Sequence, residues 1–487
     1  MKIVKYKIIV YLFFLLQILF IQFSTLNYET LSVDINAFLV TAQEFGRGNL
    51  PLEFQYENKP PLLFLIYFLF ISITGGSLLQ IKILNDLIIW VLSILLVLIS
   101  ESFLGKKTNW VFIPSIIFIL FTSNVWFHPG YSEYFSLIFI SLSYITLEKT
   151  NMLSRFYLSG IFIAVSTLIN FGTMIFLVAL LSITLIRYEF NLKKLLQILL
   201  GFSFIHFITA GVYSLRKSFD EYFMAMYEIP ISYTSTEFSF YKSFTIFLES
   251  LSKYNLFIYS LFIIGISIFL FITYLSFSSK ILRSKEIEFT IITLCSFIFY
   301  ILAAKNYYHH LIYLIYFLPL SFLWMKNIKS KLIILPIITF GLITVNTFFY
   351  EASSNNLKNY AELESSYPMK NVTDALLEKD AANENIFSTK NILILYYLDK
   401  PNISYIVHPG LYDYSEITSV LIKNSKIKRN ELEVSLSLRP DIFEGRNSSY
   451  ERSSLYSKLE IIDIDLKLIH YWDKDKSIDM YILNKSS

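Results

Sequence analysis

Long apolar runs dominate this sequence and restrict what it can fold into. About eleven of them are long enough, or nearly so, to cross a bilayer as helices, since about 20 apolar residues span the hydrocarbon core. In lipid such a run must be helical, because its backbone N–H and C=O groups then bond within their own segment. The runs are 8–24, 79–100, 109–124, 131–148, 156–170, 172–186, 194–214, 254–276, 288–304, 308–325 and 331–349. They predict an α-helical polytopic membrane protein.

The composition supports this fold class and excludes others. Of the 487 residues, 55% are hydrophobic, and the mean hydropathy is +0.54, which is typical of membrane proteins rather than soluble ones. A net charge of +3 is too small to indicate a nucleic-acid partner. The single cysteine, Cys295, lies within an apolar run, so no intrachain disulfide is expected.

A twelfth apolar run, 61–74, is too short to be a typical span. It has about fourteen residues and ends in two glycines, which favours an interfacial or re-entrant helix over a crossing. If this run stays on the outer face, most lysines and arginines of the loops fall on one side of the membrane. By the positive-inside rule that side is the cytoplasm. The N-terminus is therefore predicted to be cytoplasmic, and the region after the last span extracytoplasmic.

The composition changes near residue 350 and divides the chain into two predicted domains. Residues 1–350 form the transmembrane domain, with a first outer loop at 25–78. Residues 351–487 are mixed polar and charged, with strand-like runs at 403–407, 459–464 and 480–483 among helix-compatible stretches such as 360–379. The sequence therefore predicts a soluble extracytoplasmic α/β domain at 351–487.

The first outer loop carries most of the polar groups near the first spans. Asp34 opens an apolar-periodic run that two glycines end, with Arg47 between them. Glu57 and Lys59 follow, immediately before a Pro-Pro pair that can begin a helix but not continue one. Ionisable residues kept at a membrane interface are usually functional. A structural alternative for Asp34 is the N-cap of a helix at 35–45.

This loop resembles the first outer loop of the GT-C membrane glycosyltransferases. It is most like the bacterial branch related to protein mannosyltransferases and the aminoarabinose transferase of lipid A. That pattern has an acid after the first span, a helix ending in a small-residue turn, and a Lys-Pro-Pro-Leu-like element. Asp34, Gly48 and the segment 59–62 match it in order and roughly in spacing. A common form of the family has two adjacent acids, whereas here Ile35 follows Asp34. The likeness continues more weakly to about residue 350.

The resemblance implies a function for the loop. In the family the donor is a sugar on a polyprenyl phosphate, and Asp34 would be the general base that deprotonates the attacking acceptor, giving inversion at C1. Arg47 and Lys59 would neutralise the donor phosphate as its charge grows, although interfacial cations can also simply contact lipid phosphates. Glu57 would pair with Lys59 or join a metal site.

Two later segments match weaker family elements. Glu133, in the short loop that opens the fourth span, resembles an acid of the family's second outer loop. By that likeness it would help bind a divalent ion, with Asp34 as a further candidate ligand, or would orient the acceptor. The alternative is a carboxylate stabilised by a helix dipole. Tyr308, His309 and His310 resemble an element that contacts the lipid-phosphate head group. Adjacent histidines point in different directions on a helix, so they are expected to be a poor metal pair. The alternative is an interfacial aromatic belt.

Taken together, these features predict a membrane glycosyltransferase of the bacterial inner membrane and cell envelope. Its partners would be a polyprenyl-phosphate sugar donor, a lipid, glycan or protein acceptor, and membrane lipids. A divalent metal ion is the one candidate cofactor. A lipid-linked glycan polymerase or ligase is the alternative enzyme. A membrane transporter or flippase is the non-enzymatic alternative. It is disfavoured because the sequence shows no inverted repeat and the spans are expected to lack charged side chains.

Overall fold

The computed structural model describes most of the chain, as helices with a small sheet. The described residues are 2–30, 32–104, 108–124, 127–149, 154–235, 245, 256–278, 284–302, 307–325, 328–377, 386–388, 392–428, 442–446, 466–469 and 478–483. They form two compact units. The first unit comprises residues 1–26, 82–212 and 237–358, and the second comprises residues 27–81, 213–236 and 359–487. Each unit is described here by itself.

The first unit is built from apolar helices. Its α-helices are Lys2–Phe23, most of Leu78–Leu104, Ile113–Thr122, Ser132–Glu148, Arg155–Thr167, Met174–Arg187, most of Leu192–Leu215, Leu256–Ser278, Ser284–Leu302, Ile312–Phe317 and Ile328–Lys358. Short 3₁₀ segments at Asn109–Phe112, Phe171–Thr173, Tyr308–Leu311 and Leu318–Met325 lead into or follow these helices. Their apolar side chains share one buried core.

Five helices in the described part of the chain are long and apolar enough to cross a membrane. They are Tyr6–Phe23, Leu78–Leu104, Leu192–Leu215, Tyr308–Met325 and Ile334–Lys358. Five apolar helical stretches are shorter: Pro61–Thr74, Asn109–Thr122, Arg155–Thr167, Phe171–Arg187 and Leu261–Tyr274. The mostly helical, polytopic character predicted from the sequence is thus present, while the number of spans stays a prediction.

Close backbone approach joins helices Arg155–Thr167 and Leu192–Leu215 in the first unit. A Cβ atom on Gly160 would lie 2.0 Å from the carbonyl oxygen of Ile198, and one on Gly201 would lie 2.0 Å from that of Tyr157. Only glycine permits this contact at either position. Small residues at helix crossings are typical of membrane proteins, where association depends on packing rather than on hydrophobicity.

Charged side chains also lie inside the first unit. Arg187 and Lys285 both make ion pairs with Glu148 and Glu288. Two positive charges thus balance two negative ones, which lowers the cost of burying them. Helix Leu78–Leu104 contains Lys82 and Asp86, and Asp86 is buried. The expectation that the spans lack charged side chains is therefore wrong for this helix.

The second unit combines short helices with a four-stranded sheet. The helices are Val33–Ala42, Pro61–Thr74, Phe219–Phe223, Ile229–Ser235, Tyr360–Leu363, Pro368–Leu377, Leu393–Tyr397 and Ser415–Lys423, with 3₁₀ turns at Gln43–Phe45, Glu364–Ser366 and Pro409–Asp413 and a π-helical turn at Met224–Glu228. The strands are Ile386–Ser388, Ile442–Arg446, Leu466–Ile469 and Ile478–Leu483. Numbering them β1 to β4 in this order, the sheet runs β1-β2-β4-β3, and only the β1–β2 pair is parallel.

The strand predictions had different outcomes. The run 480–483 lies in β4, whereas 403–407 contributes a single isolated bridge at Ile406. The run 459–464 lies outside the described residues. The domain boundary near residue 350 stays a prediction, since the second unit also takes in the first outer loop and residues 213–236.

The short apolar run is a helix, Pro61–Thr74, as predicted from the sequence. Pro61 occupies its first position, where the missing N–H costs nothing, and Gly75 ends it with a left-handed φ of 61°. One face of the helix packs against Val33–Ala42 through Phe64. The side chains of Leu69 and Ile73 remain exposed.

The helix crossing in the first unit generates a testable prediction. Replacing Gly160 or Gly201 by alanine places a methyl group on a backbone carbonyl of the neighbouring helix, so the helices must separate. We expect a loss of stability of about 1–3 kcal/mol and a lower Tm of the purified protein in detergent.

Gly211→Ala is the matched control, because it lies in the same helix as Gly201 and its added Cβ meets nothing within 4 Å. Its Tm should equal or exceed that of the wild type, since alanine is the better helix former. Equal Tm values for all three variants would contradict the close crossing.

Candidate functional site

Asp34 lies in the first turn of helix Val33–Ala42. The predicted N-cap role is wrong: Ser32 is the N-cap, and its hydroxyl accepts the backbone N–H of Asp34 at 3.2 Å. The same hydroxyl lies 3.2 Å from Asp34 Oδ2. Because Ser32 caps the helix, the carboxylate of Asp34 does not serve as its N-cap. About a third of its side chain is exposed.

The partner of Asp34 comes from the C-terminal part of the same unit. Nε2 of His408 lies 3.0 Å from Asp34 Oδ1, and the histidine side chain is largely buried. The other ring nitrogen, Nδ1, accepts the backbone N–H of Gly410 at 3.0 Å. A neutral imidazole carries one N–H, so acceptance at Nδ1 puts the proton on Nε2. His408 therefore donates a hydrogen bond to the Asp34 carboxylate.

A short parallel pairing places His408 beside the first outer loop. Tyr56 donates its backbone N–H to the carbonyl of Tyr405 at 2.6 Å, and Val407 donates to the carbonyl of Tyr56 at 3.0 Å. These two bonds form a parallel bridge between Tyr56 and Ile406. The two segments run in the same direction, so Glu57, one residue after the bridge, and His408, two residues after it, are close enough to interact electrostatically.

Glu57 is buried in this cluster. Its side chain is almost completely excluded from solvent, and among the described residues its Oε2 atom has no hydrogen-bond partner. Burial raises the pKa of Glu57 to about 7; His408 and Lys59 oppose this shift, while Asp34 adds to it. Near neutral pH, Glu57 is thus a carboxyl group that can gain or lose a proton.

The two predicted phosphate-binding cations have different surroundings. Lys59 lies in the turn before helix Pro61–Thr74, and no described carboxylate lies within ion-pair distance (4.0 Å) of its ammonium group. Arg47 instead pairs with Glu44 and, at 2.9 Å, with Asp399. Lys59 is accordingly the better placed of the two to bind an added anion, since the charge of Arg47 is already compensated.

A second cluster, formed by Glu133, His309 and His310, lies in the first unit. Glu133 is fully buried in the first turn of helix Ser132–Glu148. Asn170 donates to its Oε1 at 3.0 Å, and Nε2 of His310 lies 4.0 Å from the same oxygen. The ring of His309 stacks on Tyr131 at 4.3 Å between centroids.

The arrangement of the two histidines differs from the sequence expectation. One ligand atom from each of Glu133, His309 and His310 lies within 4.8 Å of the others. The two histidines lie in the 3₁₀ turn Tyr308–Leu311, where neighbouring side chains also point in different directions. Ligand atoms of both rings nevertheless come near the carboxylate of Glu133. Two imidazoles and a carboxylate form a ligand set that zinc and related divalent ions use.

The structure thus groups the predicted residues into two sets. Asp34, Glu57 and Lys59 belong to the second unit, and there they are joined by His408, which the sequence analysis missed. Glu133, His309 and His310 meet in the first unit, where Tyr308 begins their 3₁₀ turn. One sequence signal does point to His408: the tripeptide His-Pro-Gly occurs at both 128–130 and 408–410.

Comparison with known proteins gives a likeness in fold. No family model and no curated protein matches the sequence. Among solved structures, ArnT from Cupriavidus metallidurans bound to undecaprenyl phosphate is similar, with a TM-score of 0.65 and 10% identity, covering 99% of this chain and 98% of that one. The apo state of the same ArnT is similar with a TM-score of 0.52 and 9% identity, covering 98% of each chain.

ArnT is an aminoarabinose transferase, a GT-C glycosyltransferase. At this level of identity the likeness concerns the fold, and it extends over nearly the whole of both chains. The resemblance predicted from the sequence is confirmed at the level of the fold: the chain shares its fold with ArnT.

Proposed function

We propose that this protein is a membrane glycosyltransferase that moves a sugar from a polyprenyl-phosphate donor to an acceptor on the outer face of the membrane. The observation that carries the proposal is the likeness in fold to ArnT, which covers 98% of that chain in a state bound to undecaprenyl phosphate. The cluster around Asp34 supports the proposal, because it combines a partly exposed carboxylate with the ammonium group of Lys59.

In the proposed reaction, Asp34 takes the proton of an acceptor hydroxyl or amine as that group attacks C1 of the sugar. The C1–O bond breaks, and its electron pair leaves on the polyprenyl phosphate. A phosphate leaving group needs charge neutralisation more than protonation, and the ammonium of Lys59 provides it. A single displacement of this kind inverts the configuration at C1. Arg47 and Glu57 are proposed to bind substrate near Asp34 and Lys59, and Tyr308 is separately proposed to bind the lipid-phosphate head group.

The proposed topology follows the charge distribution of the loops. Eleven spans, with the N-terminus in the cytoplasm, put the first outer loop and an α/β domain at 351–487 outside the inner membrane of a bacterium. Helix Pro61–Thr74 would lie along the outer interface. Its exposed Leu69 and Ile73 support this placement, since an apolar face without protein cover suits lipid.

The glutamate–histidine cluster is proposed to hold a divalent ion. Its three ligand atoms fit such an ion after small side-chain rotations, because they already lie within 4.8 Å of one another. Asn170 and Ser132 bond to Glu133 and would orient it from behind. When bound, the ion would supply positive charge for the phosphate of the donor or orient the acceptor.

Vesicle and detergent assays separate the alternatives. A transporter moves its solute unchanged across a sealed membrane, whereas a transferase consumes its donor in detergent. A glycan polymerase or ligase would instead consume an oligosaccharide pyrophosphate donor. Undecaprenyl phosphates carrying a panel of radiolabelled hexoses, pentoses and amino sugars, with a bacterial lipid extract as acceptor, make the test independent of the sugar.

The first prediction concerns Asp34 and Lys59. Asp34→Asn should lower the rate of sugar transfer by about 10²–10⁴-fold, because the general base is lost. Lys59→Ala should lower it by about 10²–10³-fold, because the phosphate loses its cation. Both rates are measured as labelled sugar released from the donor by purified protein of unchanged Tm.

Asp220→Asn is the matched control, since Asp220 also lies in the first turn of a helix in the second unit and is exposed. It should transfer sugar at the wild-type rate. Folded Asp34→Asn and Lys59→Ala proteins with full activity would remove both residues from the chemistry.

The second prediction concerns the buried carboxyl of Glu57. Its pKa rises from 4.5 to about 7 on folding, so between these values the folded state keeps a proton that the unfolded state has lost. The stability contributed by this group therefore falls as the pH rises toward 7 and is constant above it. The total change is about 3 kcal/mol.

Glu57→Gln removes this dependence. The measurement is thermal unfolding in detergent at two pH values. The Tm of Glu57→Gln minus the Tm of the wild type should be higher at pH 8 than at pH 5. The exposed Glu362→Gln should show the same difference from the wild type at both pH values. A Glu57→Gln difference that does not change with pH would show that Glu57 ionises normally in the folded protein.

The third prediction concerns metal content. Wild-type protein loaded with Zn²⁺ and dialysed against a weak chelator should retain about one ion per chain, while Glu133→Gln and His310→Ala should retain almost none. The measurement is elemental analysis by mass spectrometry. His206→Ala, whose imidazole bonds to Thr167 instead, should retain the wild-type amount; equal metal content in all four proteins would exclude this cluster.

A further inference from the structure

His408 contacts Asp34 in a geometry that defines its protonation. The N–H of Gly410 points at Nδ1, at 3.0 Å, so this nitrogen is an acceptor. The remaining nitrogen, Nε2, faces Asp34 Oδ1, also at 3.0 Å. A proton on Nδ1 would oppose the N–H of Gly410, and a bare Nε2 would oppose the carboxylate. Both neighbours thus select the same tautomer.

The surroundings of the ring hold it in this position. His408 follows the bridge between Tyr56 and Ile406 and opens the 3₁₀ turn Pro409–Asp413 as its N-cap. Proline at 409 fixes the backbone φ at the start of that turn. A Cβ on Gly410 would lie 3.0 Å from His408 Cε1 and 3.2 Å from Nδ1. Glycine therefore allows the backbone N–H to approach the ring without displacing it.

We infer that His408 is a positioning residue that holds the carboxylate of Asp34 in the orientation required for proton abstraction. This inference rests on the proposed function, because it assigns Asp34 as the base. With Oδ1 bound to His408, the proton of the acceptor passes to Oδ2, whose neighbour Ser32 has a hydroxyl that can rotate. His408 keeps its own proton throughout, so the step involves one proton, from acceptor to Asp34.

The same contact gives the C-terminal region a role in the chemistry. His408 belongs to the segment after residue 350 that the sequence analysis treated as a separate domain. Glu57 and Lys59 also act electrostatically on His408, together with Asp34. The C-terminal segment thus completes the surroundings of the base, instead of serving only as support.

Two substitutions separate this role from a purely structural one. His408→Phe keeps an aromatic ring at this position but removes the N–H that donates to Asp34. His408→Gln keeps an N–H donor that can reach the place of Nε2. We expect His408→Phe to lower kcat on the order of 10-fold to 100-fold, as for loss of a group that orients a functional side chain, with KM for the lipid-linked sugar within about twofold of the wild type. His408→Gln should recover most of the lost kcat.

Solid-state NMR of protein labelled with 15N-histidine tests the contact without any substrate. The chain has six histidines, and the signal of His408 is the one missing in His408→Gln. Its Nε2 should carry the proton in the wild type. In Asp34→Asn the pKa of His408 should fall, because the carboxylate that favours the imidazolium is gone, whereas Asp220→Asn should leave it unchanged.

The outcomes distinguish this inference from the proposed function. The inference would be overturned, and the proposed function left intact, if folded His408→Phe kept a wild-type kcat while transfer still depended on Asp34. A proton found on Nδ1 of His408 would have the same effect. If instead the wild-type protein transfers no sugar from any donor of the panel, or transfers it at a rate independent of Asp34, the proposed function fails and the positioning role fails with it. An intact histidine–aspartate contact in NMR would then show that the geometry was right and the assigned chemistry wrong.

Discussion

Two backbone hydrogen bonds determine the surroundings of Asp34. They join Tyr56 to the segment that ends in Val407, and they bring Glu57 and His408 side by side. Gln55 strengthens the same junction: its side-chain amide bonds to the backbone N–H and C=O of Asn402 and to the C=O of Ser404. These buried polar groups satisfy one another, which is the condition under which a buried polar network specifies one arrangement. The candidate site of the second unit therefore depends on main-chain pairing more than on its own side chains.

Protonation explains why a carboxyl group such as Glu57 can be tolerated in the interior. A buried charge is costly unless it is paired or neutralised, and a protonated Glu57 avoids that cost. His408 and Lys59 favour ionisation, while burial and Asp34 oppose it. The balance leaves the group close to its titration point at neutral pH. Asp34, with a third of its side chain exposed and a histidine bound to one oxygen, is the more suitable of the two acids to meet an incoming substrate.

The sequence predicted those features that depend on neighbouring residues. Helix Pro61–Thr74 followed from a Pro-Pro start, an apolar run and a glycine end, and each of these acts within a few residues. The same local reasoning misassigned the N-cap of the preceding helix, Val33–Ala42, because both Ser32 and Asp34 are good capping residues and only the backbone geometry decides between them. The proximity of His309 and His310 to Glu133 was not predictable from local patterns either, because that carboxylate lies far away in the sequence. His408 could not be placed beside Asp34 at all, because no local pattern links segments so far apart in the chain.

The second unit is discontinuous: it is assembled from residues 27–81, 213–236 and 359–487. A ribosome makes the first of these segments early and the last one at the end of synthesis. Pairings such as that of Tyr56 with Ile406 can form only after almost everything else has been synthesised and the apolar helices between them have been inserted. Contacts this distant in sequence also carry the largest loop-closure entropy. During synthesis, residues 27–81 must therefore remain without their partners from the last segment until translation ends. In this period we expect them to be more open to proteases and chaperones.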